Sequence, residues 1–191
     1  KGSLFLDEVD ITSIPLEELR KSISFVPQES YLFTSTLAEN IRYGAPNASL
    51  ENIKEAAQKA RLYEDIKGFP DGLETLVGER GITLSGGQRQ RAALSRALLV
   101  SSPIIVLDDA LASVDNKTAS LILASIREQT KRTILLISHQ ISAAASCDRI
   151  LVMENGKIVQ EGTHSDLIKS EGTYKRLCER EKEKESINLL Q

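Results

Sequence analysis

From residue 85 to residue 153 the chain alternates helical patterns with short runs made almost entirely of apolar residues. These runs are IIVL at 104–107, TILLIS at 133–138 and RILVM at 149–153. One helical pattern ends at Leu99, another begins near Asn116, and a short one lies near Ile141. Strands that are apolar on both faces are typical of a parallel sheet covered by helices on both sides. The pattern therefore predicts a doubly wound α/β structure.

The first half of the chain combines β-rich runs with a helical middle. Residues 3–11 (SLFLDEVDI) and 19–28 (LRKSISFVPQ) predict strands, and the second run stops at Pro27 and Gln28. The spacing of apolar residues predicts helices at 37–42, 49–60 and 62–67. Ser49 is a suitable N-cap, although Asn52 stands where a full capping box has Glu or Gln.

Two features follow the last apolar run. The pair Asn155-Gly156 separates RILVM from residues 157–160 and predicts a hairpin, because this pair favours a left-handed turn. From Glu181 onward the sequence EKEKESINLLQ is dense in charge and predicts a solvated or frayed end, not a functional site.

Composition excludes some classes of protein. The 191 residues are 41% apolar, enough for a real core, and 24 basic against 27 acidic residues leave a net charge of −3. This balance argues against a surface built to bind nucleic acid or an anionic membrane. Cys147 and Cys178 match no metal-ligand spacing, so reduced thiols and a cytosolic setting are expected. No apolar run reaches the roughly 18 residues of a membrane span.

Polar side chains follow three of the predicted strands. Asp108 and Asp109 end IIVL, His139 follows TILLIS, and Gln28 follows SISFVP. Ligands of parallel sheets bind at the carboxyl ends of the strands, where carboxylates suit Mg²⁺ and its phosphate ligands. Taken singly, the histidine and glutamine could be ordinary surface residues and the aspartates could cap a helix. Together they predict a site for a nucleoside triphosphate.

A glycine pair begins the helix that ends at Leu99. Ser85 can cap this helix, while Gly86 and Gly87 lack side chains and would let a phosphate approach the backbone N–H groups. A plain glycine turn before a helix is the alternative. Gln88, followed by two arginines, makes the string more specific than a glycine pair alone.

LSGGQ at 84–88 resembles the signature motif of ABC-type ATPases. Its neighbours match the order of that family: FVPQ resembles the Q-loop, IIVLDD the Walker B strand, ASVD the D-loop and ISHQ the switch-histidine loop. LFTSTLAENIRYG at 32–44 and ETLVGERG at 74–81 resemble the post-Q-loop region and X-loop of exporters. The resemblance implies a RecA-like parallel sheet flanked by helices, with a helical signature subdomain. It covers the chain from Gly2 to about Leu177.

The resemblance implies roles around a bound ATP. Asp108 would hold Mg²⁺ through water, and Asp109 would orient the attacking water. Gln28 would contact the metal or that water and report the nucleotide state to a transmembrane domain. His139 would contact the γ-phosphate. Catalysis in this class consists of positioning and charge stabilisation of phosphoryl transfer to water.

The resemblance also implies association with a second nucleotide-binding domain. Ser85, Gly87 and Gln88, with Gly86 beside them, would bind the γ-phosphate of ATP held by the opposing domain. Asp115 would couple the two sites. Closure would be transmitted to the transmembrane domain of an exporter, at the cytoplasmic face of the membrane, by the X-loop residues Glu79 and Arg80. No nucleic-acid partner is expected.

The phosphate-gripping P-loop of the family, GxxxxGKS or GxxxxGKT, is absent from the sequence. In relatives it precedes the strand that resembles SLFLDEVDI, so we expect the chain to begin after it. The chain alone is then expected to bind ATP weakly, not to hydrolyse it, and to be marginally stable or associated. The implied division is an N-terminal β-rich remnant (1–30), a helical subdomain (31–84), the signature helix and RecA-like core (85–177) and a charged tail (178–191).

Asp109 stands where efficient relatives usually carry glutamate. Its side chain is shorter by roughly 1.5 Å, and a misplacement of about 1 Å can lower a rate on the order of a hundredfold. The Asp-Asp pair resembles the less active half of heterodimeric multidrug exporters. We therefore expect a non-identical partner domain and a slow ATP site where Asp109 lies. The intact signature residues Ser85, Gly86, Gly87 and Gln88 would complete the competent site on the partner.

Two other classes of function stay open from the sequence alone. ABC ATPases of DNA maintenance or translation share the signature, but they lack this X-loop and carry large insertions beyond the Q-loop. A noncatalytic interaction module that only lends its signature helix to a partner ATPase also fits a chain without a P-loop. An in-frame P-loop and membrane spans upstream would separate a transporter from such a module.

Overall fold

The structure is a computed structural model that describes residues 2–78, 81–129 and 132–188. The strands are β1 (Phe5–Leu6), β2 (Val9–Asp10), β3 (Ile23–Val26), β4 (Ser35–Thr36), β5 (Leu76–Val77), β6 (Ile104–Asp108), β7 (Thr133–Ile137), β8 (Ile150–Glu154) and β9 (Lys157–Gly162). The α-helices are α1 (Leu16–Lys21), α2 (Leu37–Arg42), α3 (Leu50–Lys59), α4 (Tyr63–Lys67), α5 (Gly86–Leu99), α6 (Asn116–Gln129), α7 (Ile141–Ala144), α8 (His164–Leu167) and α9 (Thr173–Asn188). Single 3-10 turns lie at Ile11–Ser13 and Gly72–Glu74.

A three-stranded parallel sheet in the order β3-β6-β7 forms the centre of the fold, and the predicted α/β class is confirmed. One face of the sheet is buried, with Ile105 and Leu107 fully inaccessible to solvent. Leu94 of α5 and Ile122 of α6 belong to the same core. A second core joins α2, α3 and α4 to the segment before α5.

The other face of this sheet, which we call the open face, is not covered by a helix within the described residues. Register places Phe25, Val106 and Leu135 side by side on it, with Phe25 56% and Leu135 53% exposed. The expectation of helices on both faces is wrong for the part of the chain that the structure describes. Apolar residues at alternate positions of these strands, such as Phe25 and Leu135, are therefore exposed to solvent.

RILVM lies outside the parallel sheet, contrary to the prediction from its apolar composition. It forms β8, which pairs antiparallel with β9, and the two strands form a separate sheet. The predicted hairpin itself is confirmed, because Asn155 and Gly156 both adopt positive φ angles, 49° and 74°, between the two strands. Composition cannot tell a strand buried in a central sheet from one that packs on helices such as α8 and α9.

Helix boundaries differ from the prediction at two places. Residues 19–21 belong to α1, not to a strand, because acidic residues in its first turn and basic residues in its last favour a short helix before β3. Of the solvated or frayed end predicted from Glu181, fraying is contradicted because α9 continues to Asn188, whereas Lys182 and Glu183 are exposed to solvent. Its buried residues Tyr174 and Cys178 attach it to the β8-β9 hairpin region.

Predicted helices in the middle of the chain are confirmed, with α2 matching its predicted bounds. Ser49 caps α3 and forms a complete capping box, in which Asn52 fills the position usually held by Glu or Gln. Among the described residues, no helix has both the length and the apolarity to cross a membrane.

Candidate functional site

The carboxyl ends of the three parallel strands lie along one edge of the sheet. Leu107 of β6 pairs with Val26 of β3 and with Leu136 of β7. Gln28 lies two residues beyond Val26, and His139 lies two residues beyond the end of β7. Both side chains are exposed to solvent. The sheet thus brings the amide, the imidazole and the acidic pair at the end of β6 to the same edge.

Asp108 and Asp109 differ in their surroundings. Asp108 ends β6 and lies beside Ile137 on the open face of the sheet. Asp109 has a φ of 45°, in the left-handed region that few residues other than glycine adopt, and its backbone N–H donates to the carbonyl of Ile137 at 2.9 Å. One carboxylate oxygen of Asp109 is buried and has no hydrogen-bond partner among the described residues. A buried oxygen of this kind is costly unless a ligand or a water completes it.

Asp115 begins α6. Its carboxylate accepts a hydrogen bond from the backbone N–H of Thr118 at 2.9 Å, and its carbonyl accepts from Ala119. The backbone N–H and the side chain of Thr118 lower the pKa of the Asp115 carboxyl, which stabilises the ionised form. Asp115 therefore fixes the end of the 110–115 loop to the following helix.

The start of α5 is a complete capping box, so the predicted cap at Ser85 is confirmed. The Ser85 hydroxyl accepts from the backbone N–H of Gln88 at 3.2 Å, and Gln88 Oε1 accepts from the backbone N–H of Ser85 at 3.0 Å. Gln88 Nε2 also donates to Asp65 at 3.0 Å. Both ends of the Gln88 side chain are thus engaged within the domain, in a positioning role that the sequence did not predict.

Gly86 and Gly87 contact the 110–115 loop. A Cβ on Gly87 would lie 2.8 Å from the carbonyl oxygen of Ser113, closer than real Cβ atoms approach a backbone oxygen. A Cβ on Gly86 would make only ordinary contact with the Ser113 side chain. Glycine at position 87 is therefore required by the close approach of this loop, in addition to any role toward a phosphate.

Four further polar residues support the site through contacts that were not predicted from the sequence. Asp65 forms an ion pair with Arg91 at 3.0 Å, and Gln90 Oε1 accepts from the backbone N–H of Ser113. Gln140 donates to carbonyls of the 110–115 loop. Gln90 had a detectable signal: it lies on the helix face of Ala93 and Leu94, where a polar residue needs a buried partner.

Glu79 and Arg80, predicted to contact a transmembrane domain, lie outside the described residues. The rest of the edge fits Mg²⁺ and ATP by its chemistry. It offers carboxylate oxygens, which are hard ligands, and one of them is the unpartnered oxygen of Asp109. Among the described residues no cluster of three or more His, Cys, Asp or Glu is placed to hold a metal. Mg²⁺ commonly keeps waters and phosphate oxygens beside one or two carboxylates, so two aspartates fit.

Two features define an ATPase-type α/β domain. One is a parallel sheet with acidic, amide and imidazole side chains at one edge, and the other is a helix that begins with glycines and packs against the loop that follows β6. The chain belongs to the ABC transporter family, because the family model described as ABC transporter matches residues 1–112. The resemblance read from LSGGQ and its accompanying motifs is thereby confirmed. The fold is that of the ABC ATPases, with exporters among its relatives.

Individual relatives are exporters and related ABC proteins. The chain is 45% identical over 177 residues to an ATP-dependent lipid A-core flippase of Chromobacterium violaceum, covering 92% of this chain and 30% of that protein. It is 42% identical to a probable multidrug resistance ABC transporter ATP-binding/permease protein of Bacillus subtilis, covering 95% and 31%. A solved structure of a bacterial Atm1-family ABC exporter with ATP bound is similar, with a TM-score of 0.88, 37% identity and coverage of 95% and 32%. The chain thus spans about a third of the length of these relatives.

Proposed function

We propose that the chain is the ATP-binding and ATP-hydrolysing domain of an ABC exporter. In this proposal it works at the cytoplasmic face of a membrane, attached to a transmembrane domain and paired with a second domain of the same kind. The observation that carries the proposal is the edge of the sheet, where Asp109 offers a buried carboxylate oxygen without a partner among the described residues. The names of the relatives supply the exporter class.

Within its own site the chain would act through the ends of its strands. Bound Mg²⁺ and ATP would supply the divalent charge and the phosphoryl group that is transferred to water. Asp108 would hold a water of the metal shell. Asp109 would orient the attacking water through its buried oxygen, which has no hydrogen-bond partner in the part of the chain that the structure describes. Gln28 and His139, both exposed beyond their strands, are free to reach the metal shell and the γ-phosphate.

Toward the opposing domain the chain would offer the start of α5. Ser85 is exposed and its hydroxyl caps the helix, so a phosphate placed there meets the positive end of a fourteen-residue helix. Gly86 and Gly87 add backbone N–H groups without side chains. In this proposal Gln88 acts chiefly by holding the capping box, since both ends of its amide are engaged. Asp115 would transmit changes from this surface to α6.

Asp109 is the residue that we propose limits the rate of ATP hydrolysis at the site of this chain. Glutamate would extend the carboxylate by roughly one C–C bond, about 1.5 Å, toward the water that must be oriented. We infer a slow site at Asp109 and a faster site on the partner, completed by Ser85 and Gly87 of this chain. The exported substrate would be selected by the transmembrane domain.

The proposal is tested on the full-length protein with Asp109 variants. Asp109→Asn is expected to lower ATP hydrolysis at the Asp109 site by on the order of a hundredfold, while Asp109→Glu is expected to raise hydrolysis at the same site. Asp71→Asn, an exposed aspartate far from the strand ends in sequence, is the charge-matched control. Unchanged hydrolysis at the Asp109 site in Asp109→Asn would instead favour the alternative, a noncatalytic module that lends its signature helix to a partner ATPase.

A further inference from the structure

The 110–115 loop is held against the signature helix α5 at two points one turn apart. Gln90 is only 7% exposed, and its Oε1 accepts from the backbone N–H of Ser113 at 3.0 Å. Three residues earlier, Gly87 leaves no room for a side chain beside the Ser113 carbonyl. Because residues three apart share a helix face, both contacts fix the same part of the loop.

The same loop is also contacted by the residue that follows His139. Gln140 Nε2 lies 3.4 Å from the carbonyl oxygens of Leu111 and Val114, so both hydrogen bonds are longer than is typical of an N–H···O bond. Its Oε1 is buried and has no partner among the described residues. Gln90 thus binds one backbone N–H group of the loop, and Gln140 binds two of its backbone carbonyls.

We propose that Gln90 and Gln140 are positioning residues that clamp the 110–115 loop between the signature helix and the loop of His139. This inference rests on the proposed function, in which the start of α5 faces ATP of the partner and His139 faces ATP of this chain. The clamp connects these two surfaces through one short segment of backbone. In this proposal ATP hydrolysis depends on the position of the 110–115 loop, which both glutamines fix.

Packing alone does not account for the amide of Gln90. A buried amide lowers stability unless it is hydrogen-bonded, whereas methionine fills nearly the same volume without a group to desolvate. The specific contribution of Gln90 is therefore the bond to Ser113. Glutamate at this position keeps an oxygen that can accept the same bond, so Gln90→Glu is the conservative variant and Gln90→Met removes the acceptor.

The experiment measures kcat, KM for ATP and thermal unfolding in the full-length protein. Gln90→Met is expected to lower kcat by about tenfold to a hundredfold and to leave KM within about twofold, because it misplaces groups without removing a contact to ATP. Gln90→Glu is expected to lose less of kcat than Gln90→Met, because its carboxylate keeps an oxygen that can accept from the backbone N–H of Ser113. Gln58→Met, on the exposed side of α3, is the matched control and should leave all three unchanged.

A second arm tests whether the two glutamines act on the same loop. Gln140→Met is expected to lower kcat as well, and the double variant with Gln90→Met should lose no more than about twice the larger single loss. Losses that multiply in the double variant would overturn the clamp. Three other results would also contradict the clamp. They are an unchanged kcat in Gln90→Met, a loss of kcat in Gln90→Glu equal to that in Gln90→Met, and a loss of kcat that is explained by a smaller fraction of folded protein.

Failure of the proposed function would be seen separately. If the unmodified protein does not hydrolyse ATP, the clamp is judged by hydrogen exchange of peptides that contain Ser113. Gln90→Met must speed exchange at that amide, and Gln58→Met must not. Unchanged exchange in Gln90→Met refutes the clamp without reference to ATP.

Discussion

Replacing Asp65 by alanine removes two contacts that support the start of the signature helix. Gln88 Nε2 donates to one carboxylate oxygen of Asp65 at 3.0 Å, and the Arg91 guanidinium lies 3.0 Å from the other. The ion pair is mostly shielded from water, with 17% of the Arg91 side chain and 23% of the Asp65 side chain exposed. Its loss should therefore be measurable in the stability of the chain.

The size of the expected loss of stability depends on which contacts of Arg91 remain in the variant. A hydrogen bond to a charged group contributes about 1.5–3 kcal/mol. Arg91 keeps its bond to the carbonyl of Arg61 at 2.7 Å, so its charge is not left without a partner. We expect Asp65→Ala to lower the free energy of unfolding by about 2 kcal/mol, below the cost of isolating a fully buried charge. At a urea m-value of about 2 kcal/mol/M this lowers the unfolding midpoint by about 1 M.

Urea unfolding followed by circular dichroism measures the shift, and Glu64→Ala is the matched control. Glu64 is the preceding residue on the same helix and pairs with Lys67, but 80% of its side chain and 56% of that of Lys67 are exposed. Exposed pairs contribute little, so the control should change the free energy of unfolding by less than about 0.5 kcal/mol. Equal midpoints for the two variants would refute the reasoning from burial.

Three further outcomes are expected. Glu181→Gln should lower the free energy of unfolding, measured in urea, by about 1 kcal/mol. The Glu181 carboxylate accepts a hydrogen bond from the backbone N–H of Ile141 at 2.8 Å, at the start of α7. An unchanged free energy of unfolding would mean that α9 is not docked there. Phe25→Ser on the open face should cost less than about 1 kcal/mol, against about 2–5 kcal/mol for Ile105→Ala on the covered face, and equal costs would contradict the open face. Burial raises the pKa of Tyr174 to about 12 in the folded protein. Its contribution to stability is therefore complete below pH 10 and is lost as the pH rises through the folded pKa. Tyr174→Phe should reduce this loss of stability at high pH in unfolding curves, and an unchanged loss would contradict the assignment.

The parallel strands were predictable because their apolar runs are short and bounded by polar residues. IIVL and TILLIS became adjacent parallel strands, and the polar residues that follow them share one edge. RILVM has the same composition but forms a hairpin, because a five-residue apolar run does not encode its partner. Secondary structure was thus readable from local pattern, while sheet membership depends on contacts distant in sequence.

The residues of the candidate site were readable only as side chains at strand and helix ends. Their supporting contacts were not, because Asp65, Gln90 and Gln140 find partners between 23 and 29 positions away in the chain. The strained φ of Asp109 was equally hidden, since no glycine marks that turn. Asn52 is a contact that sequence rules did not favour, because a capping box usually has Glu or Gln at this position. In the structure its side chain nevertheless completes the capping box of α3.

The left-handed backbone at Asp109 restricts how this position can change during evolution. Short polar residues such as aspartate and asparagine tolerate a φ of 45°, whereas longer side chains without a local hydrogen bond pay roughly 1 kcal/mol for it. A lineage that substitutes glutamate here must either accept that strain or reshape the turn that leads to Ser113. The length of the side chain at position 109 and the shape of this corner are therefore expected to change together.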